Sequence, residues 1–313
     1  MDADLKMRCM GLEFQNPVLV ASGTFGYGDE YWDVMPFSEL GALVTKTISR
    51  NVRKGNPTPR IVETDSGMLN SIGLANVGLD VFLAEKLPWI VEHAGSARVI
   101  VNVAGFSVDE FIEVAAAAGE APGVDALEVN LGCPNVKAGY VHFGADTDNV
   151  REVVSGIRAA TGAKLIVKLT PNVTDIAALA EAAVEAGADA LSLINTLPGM
   201  KIDVKRRKPV LALGFGGLSG PAVRPVGVAC VYKVYQRMIA MDHPVPIIGI
   251  GGIMNAEHAL EYIMAGASLV EIGTASFVQP TAARQVIEGL VAWCAEREVK
   301  SVAELVGAAH KVQ

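Results

Sequence analysis

The chain is poor in the groups that many functions require. Only 19% of its 313 residues are charged, and the balance is acidic, with a formal net charge of −8. That balance argues against a nucleic-acid partner, which calls for a basic face. Its four cysteines (Cys9, Cys133, Cys230, Cys294) are far apart and form no C-x-x-C pair. No zinc or iron–sulfur site is expected on this chain, and scattered cysteines fit a reducing cytoplasm. The five histidines (His93, His142, His243, His258, His310) lack metal-ligand spacing and read as surface residues. No apolar run approaches the ~18 residues a spanning helix needs. The opening MDADLKMRCM has no apolar stretch, so neither signal peptide nor membrane anchor is expected. No linker or low-complexity tract interrupts the chain, which reads as one domain over residues 1–313.

What is present is apolar and rich in turns: 51% of residues are hydrophobic and 32 are glycine. Eight short β-branched runs recur: Pro17–Ala21, Ala42–Ile48, Val99–Gly105, Ala126–Gly132, Leu165–Thr170, Ala190–Asn195, Pro246–Gly252 and Leu269–Thr274. They are nearly continuous rather than alternating, as parallel strands covered on both faces require. Helical patterns separate them. One opens at Ser107 with Glu110 three residues on, a capping-box spacing, and stops at Gly119. Others run from Thr174 to Gly187 and onward from Asn255. Eight β-then-α units imply an α/β fold, a (β/α)₈ TIM barrel, with an open doubly wound sheet as runner-up.

A barrel places its chemistry at the C-terminal ends of its strands. Ser22, Lys46 with Thr47, Asn102, Asn130 with Cys133, Lys168, Asn195 with Thr196, Gly251-Gly252 and Gly273-Thr274 all fall there. The glycines, and Asn195, also suit plain turns. Lysine is rarely buried without a partner, so Lys46 and Lys168 at one mouth point to an anionic ligand. Glycine after the last two strands lets backbone N–H groups approach a phosphate. IGIGGI lacks the G-x-G-x-x-G spacing, which disfavours a dinucleotide site of the doubly wound type. A phosphate site with two lysines suits an aldolase or isomerase. The amides Asn102 and Asn130 tilt the reading to a flavin, whose reduced ring a lysine can stabilise. Cys133 sits past an apolar run, in EVNLGCPNVK, where a merely packing cysteine would not be.

Longer motifs resemble the class 1 dihydroorotate dehydrogenases, in particular the 1B catalytic subunit, over about residues 8–290. The carriers are ASGTFGYG (21–28), VTKTI (44–48), GNPTPRIVET (55–64), MLNSIGLAN (68–76), EVNLGCPNVK (128–137), LIVKLTPN, INTLPGMKID (194–203), GGLSGPA (216–222), IIGIGGI and EIGTASF. The resemblance implies FMN as cofactor and dihydroorotate and orotate as substrate and product, in pyrimidine biosynthesis. It implies Cys133 as the base for the C5 proton, while flavin N5 takes the C6 hydride. It assigns substrate binding to Lys46, Asn70, Ser71, Ile72, Gly73, Leu74, Asn130, Asn195 and Thr196, with Asn135 a further candidate. It assigns FMN contacts to Ser22, Lys46, Thr47, Asn102, Asn130, Lys168, Ile194, Gly220, Gly251, Gly252, Gly273 and Thr274. It also implies an electron-transfer subunit carrying FAD and a [2Fe–2S] cluster, in a heterotetramer of two catalytic and two electron-transfer chains around a homodimeric core, with NAD⁺ as final acceptor.

Two departures stand out: Gly132, where many relatives carry serine, and Phe215, where a threonine-bearing form is commoner. The rivals are a fumarate-dependent class 1A enzyme, a tRNA-dihydrouridine synthase, whose N-x-G-C-P loop NLGCP matches, and a non-catalytic flavin or phosphate barrel. Cys9, Cys230 and Cys294 read as buried packing residues. Trp32, Trp89 and Trp293 read as packing within helical stretches, and Lys205–Lys208 as a solvated charge run.

Overall fold

The computed structural model describes residues 4–132 and 143–311. The eight expected strands all form, and they close into a parallel barrel. They are β1 (Val18–Val20), β2 (Ala42–Val44), β3 (Arg98–Val103), β4 (Ala126–Asn130), β5 (Leu165–Leu169), β6 (Ala190–Leu193), β7 (Ile247–Ile250) and β8 (Ala267–Ile272). Each strand neighbours its successor, and β8 returns to β1 with Glu271 opposite Leu19. Every residue of β1, β2, β4, β5, β6 and β7 is buried, which is why these strands read as unbroken apolar runs.

The helices end where capping chemistry stops them. Ser107 Oγ accepts from the N–H of Glu110 at 3.1 Å, opening the helix Val108–Gly119. The Glu110 carboxylate turns back to the N–H of Phe106 at 3.0 Å, one residue before the cap. Asn255 Oδ1 likewise accepts from His258 N–H at 3.0 Å, and that helix closes at Gly266 with φ 123°. The helix expected from Thr174 starts one residue later: Asp175 is the cap and receives Ala177 N–H at 2.9 Å. A carboxylate is the better acceptor at that position.

Three antiparallel additions were not legible as strands. Met7–Cys9 pairs with Leu12–Phe14 across Met10 and Gly11, which have φ 56° and 78°, the mirror-image turn of tight hairpins. A short ribbon joins Ile202–Asp203 to Lys208–Pro209. The third is a four-stranded sheet in the order Leu197–Met200, Phe215–Ser219, Gly67–Asn70, Ile61–Thr64. Its strands come from the segments after β2 and after β6. In it Gly217 lies opposite Asn70, so the two loops are stitched into one wall at the C-terminal end of the barrel.

Trp89 packs in an aromatic group with Trp32, Phe37 and His93, although Trp32 sits in a turn rather than a helix. His93 and His310 are half-buried rather than surface residues, stacked on Trp89 and Tyr232. Cys9 and Cys294 are buried and Cys230 half-buried, and burial pushes the Cys9 thiol up to about 12. Residues 205–208 are exposed. Among the described residues, no helix is long and apolar enough to cross a membrane, and no three His, Cys, Asp or Glu side chains gather as a metal site.

Candidate active site

The C-terminal ends of the strands and the four-stranded sheet enclose a cavity of about 1200 Å³. Ligand cavities usually span ~300–1,000 Å³, so this one has room for a nucleotide-sized cofactor and a small ring together.

Most residues singled out from the sequence meet here. Ser22, Lys46, Thr47, Asn70, Ile72, Gly73, Leu74, Asn130, Lys168, Ile194, Asn195, Thr196, Gly220, Gly251, Gly252, Gly273 and Thr274 all line the cavity. Two do not. Asn102 is fully buried one layer beneath the wall, where its Nδ2 donates to Glu128. Ser71 is also fully buried, and its Oγ has no hydrogen-bond partner among the described residues. In the sheet segment Asn70–Leu74, its neighbours take the wall. Cys133 and Asn135 lie outside the described residues.

A chain of amides crosses the mouth. Asn130 Nδ2, at the end of β4, donates to Thr47 Oγ1 at 3.5 Å, and its Oδ1 accepts from Asn195 Nδ2 at 3.2 Å. Asn195 Oδ1 accepts the N–H of Thr196 at 2.8 Å, and Asn172 Nδ2 holds the Thr196 carbonyl at 3.0 Å. Each amide is fixed by its neighbour, so the row presents donors and acceptors in set directions.

The two lysines differ. Lys46 is half-buried, and no hydrogen bond or ion pair to its side chain occurs among the described residues. Burial lowers its pKa, the Glu30 carboxylate opposes that, and Arg60 adds to it. An ammonium in this setting suits an incoming carboxylate. Lys168, at the end of β5, is almost fully buried and lies 3.2 Å from Glu128 Oε2 and 3.3 Å from Glu271 Oε2. Burial alone would depress its pKa, but the two glutamates outweigh that and hold it up. The sequence reading missed Glu128 and Glu271. The only signal was a glutamate inside each of two otherwise apolar strands.

The last two strand ends form a glycine rim. Gly251 and Gly252 have φ 125° and 68°, and a Cβ on Gly252 would lie 2.6 Å from the Gly220 carbonyl oxygen. Only a residue without a side chain keeps this close approach, and backbone N–H groups are thereby exposed to a ligand. Thr274 adds a hydroxyl, which donates to Ser219 Oγ at 2.8 Å. A glycine rim suited to phosphate, a polar amide row and a charged floor fit FMN.

Comparison with known proteins gives the family and the fold. The model of the dihydroorotate dehydrogenase family matches residues 4–293. A Pelobacter propionicus protein named dihydroorotate dehydrogenase B (NAD(+)), catalytic subunit, is 52% identical over 98% of this chain and 99% of its own. A Desulforamulus reducens protein of the same name is 49% identical over 99% and 100%. The crystal structure of an Eimeria tenella DHODH in complex with ferulenol superposes with a TM-score of 0.81. It covers 98% of this chain and 89% of its own at 24% identity, a likeness of fold.

Proposed function

The chain belongs to the dihydroorotate dehydrogenase family and is an oxidoreductase of that activity, and we propose that it works with FMN as the class 1B catalytic subunit of pyrimidine biosynthesis. The observation that carries this is the single cavity wall on which Lys46, the Asn130–Asn195 amide row, Lys168 and the glycine rim meet. Residues 1–313 serve as one FMN-binding domain, with Gly220, Gly251, Gly252, Gly273 and Thr274 holding the phosphate end. Lys168, Ser22, Thr47, Asn130 and Ile194 hold the ring.

FMN, when bound, supplies the acceptor for the hydride leaving C6 of (S)-dihydroorotate. The residues of the chain do the rest. Lys46 pairs with the substrate carboxylate, and Asn70, Asn130, Asn195 and Thr196 set the plane of the dihydropyrimidine ring by hydrogen bonds. Ile72, Gly73 and Leu74 close the wall beside it. Cys133 Sγ, as thiolate, removes the C5 proton, and orotate leaves. Thiol pKa values lie near ~8.5, so a usable fraction is ionised close to neutral pH. Asn102 supports the floor through its bond to Glu128.

The partner is an electron-transfer subunit carrying FAD and a [2Fe–2S] cluster, assembled as two catalytic and two electron-transfer chains in the cytoplasm, with NAD⁺ as final acceptor. The words "B (NAD(+)), catalytic subunit" in the relatives' names support a partner subunit and NAD⁺ as acceptor over a fumarate-dependent class 1A enzyme or a tRNA-dihydrouridine synthase. The test is turnover of the purified chain, loaded with FMN, on dihydroorotate. Bleaching of the flavin and NAD⁺ reduction only with the partner present are expected. Efficient fumarate reduction by the lone chain would replace the class 1B reading, and an unreduced flavin would overturn the activity.

A further inference from the structure

The floor of the cavity rests on a cluster that the reaction as described does not use. Glu128 and Glu271 project into the barrel interior from β4 and β8, are almost fully buried, and share the ammonium of Lys168. They do not line the cavity; Lys168 does. Two ionised carboxylates around one ammonium would leave a net negative charge in the core, which is costly.

The hydrogen bonding distinguishes the two. Glu128 is surrounded by donors. Its Oε1 accepts from Ser192 Oγ at 2.7 Å and lies 3.4 Å from Lys168 Nζ, while its Oε2 accepts from Asn102 Nδ2 and Lys168 Nζ. That is the environment of a carboxylate. Glu271 has Lys168 on Oε2 and no partner at all for Oε1 among the described residues. An ionised oxygen left bare in the core would be expensive, whereas a protonated carboxyl is a donor. The acceptor beside it is Glu128, which shares the Lys168 ammonium with it. Burial and the Glu128 charge push Glu271 well above the usual carboxyl range, with Lys168 opposing; these are the charged groups acting on it. Burial also works against ionised Glu128, but the Lys168 charge and the bonds from Ser192 and Asn102 outweigh it.

We propose that Glu271 is a positioning residue kept as the neutral acid at neutral pH, donating its proton to Glu128 so that the pair carries one negative charge and holds the Lys168 ammonium against the cavity. The cluster then has no net charge before cofactor arrives. A lysine clamped in this way meets negative charge that develops above it without having to move, the preorganisation that makes fixed charges effective. The consequence for FMN rests on the proposed function, but the protonation does not.

The experiment therefore begins with the full-length chain free of flavin. Infrared spectra at neutral pH are expected to show a protonated-carboxyl band that Glu271→Gln removes. Glutamine copies the neutral acid in shape and donor, so this variant should melt within about 2 °C of the parent. Glu128→Gln turns an amide NH₂ toward three donors and should lower melting by roughly 5 °C or more. The pH profile follows from the raised folded pKa of Glu271. Its contribution is complete at low pH and is lost as pH rises through that value, so melting should fall toward alkaline pH in the parent and less steeply in Glu271→Gln. On loading, Glu271→Gln should bind FMN within about twofold of the parent, and Glu128→Gln about tenfold more weakly. Absence of the band in the parent, or equal damage by the two substitutions, would overturn the assignment. A retained band pattern without FMN binding would instead count against the flavin reading alone.

Discussion

At the scale of single residues, Cys133 and Lys46 carry the sharpest expectations. Cys133→Ala should keep FMN bound and lower the rate of flavin reduction by dihydroorotate by about 10²–10⁴-fold, the usual range for a general base. Stopped-flow bleaching of the flavin measures it, and an unchanged rate would remove Cys133 from the role. Lys46 must be charged to pair with a carboxylate. Its pKa lies below the ordinary lysine value of 10.5, chiefly through burial. Because the ammonium is lost as pH rises, KM for dihydroorotate should climb on the alkaline side sooner than a solvent lysine would allow, while kcat rises as the Cys133 thiol ionises. Lys46→Ala should abolish the alkaline climb, as steady-state kinetics across pH would show. The place of Lys46 in the cavity was legible because a lysine at a strand end has little structural reason to be there. Glu128 and Glu271 were not, since an acid inside an apolar strand looks like a flaw until Lys168, 40 and 103 residues away respectively, is brought beside it. Asn102 stands at the end of its strand as read, but it is buried behind the cavity wall with its Nδ2 donated to Glu128.

At the scale of elements, the barrel strands declared themselves through local composition, and their observed bounds fall within about two residues of the apolar runs, apart from Ala42–Ile48, whose strand ends at Val44 with one further bridge from Ile48 to Val103. Helix starts at Ser107 and Asn255 were equally readable, because a cap is a short-range bond. The four-stranded sheet was hidden. Its strands are short, three of the four carry glycine, and the join between its two loops spans 147 residues, as in the bond from Asn70 Nδ2 to the Gly217 carbonyl, so nothing within a local window encodes that partner. The glycine rim gives a prediction at this scale. Gly252→Ala places a methyl group 2.6 Å from the Gly220 oxygen at φ 68°, so the turn must shift. FMN affinity should fall by about tenfold or more with the melting temperature of the flavin-free chain lowered only modestly, since the strain is of order 1–3 kcal/mol and local. Fluorescence titration with FMN reads the first quantity and differential scanning the second.

At the scale of the whole molecule, a ligand that binds only the folded barrel raises its stability by mass action, about 2.7 kcal/mol at a hundredfold excess over Kd. FMN should therefore raise the melting temperature of the full chain, and riboflavin, which lacks the phosphate, should raise it less at equal concentration. Equal shifts would mean that the rim at Gly251-Gly252 and Gly273-Thr274 contributes nothing to phosphate binding. The closed parallel barrel was foreseeable from eight alternating units alone.

The sheet shared by the segments after β2 and β6 has one more consequence. Whatever tightens or loosens one of these two stretches is felt by the other through the Asn70–Gly217 seam. This cavity wall can thus drift over generations only as a unit, and exchanges between homologues should succeed when both stretches travel together and fail when either is moved alone.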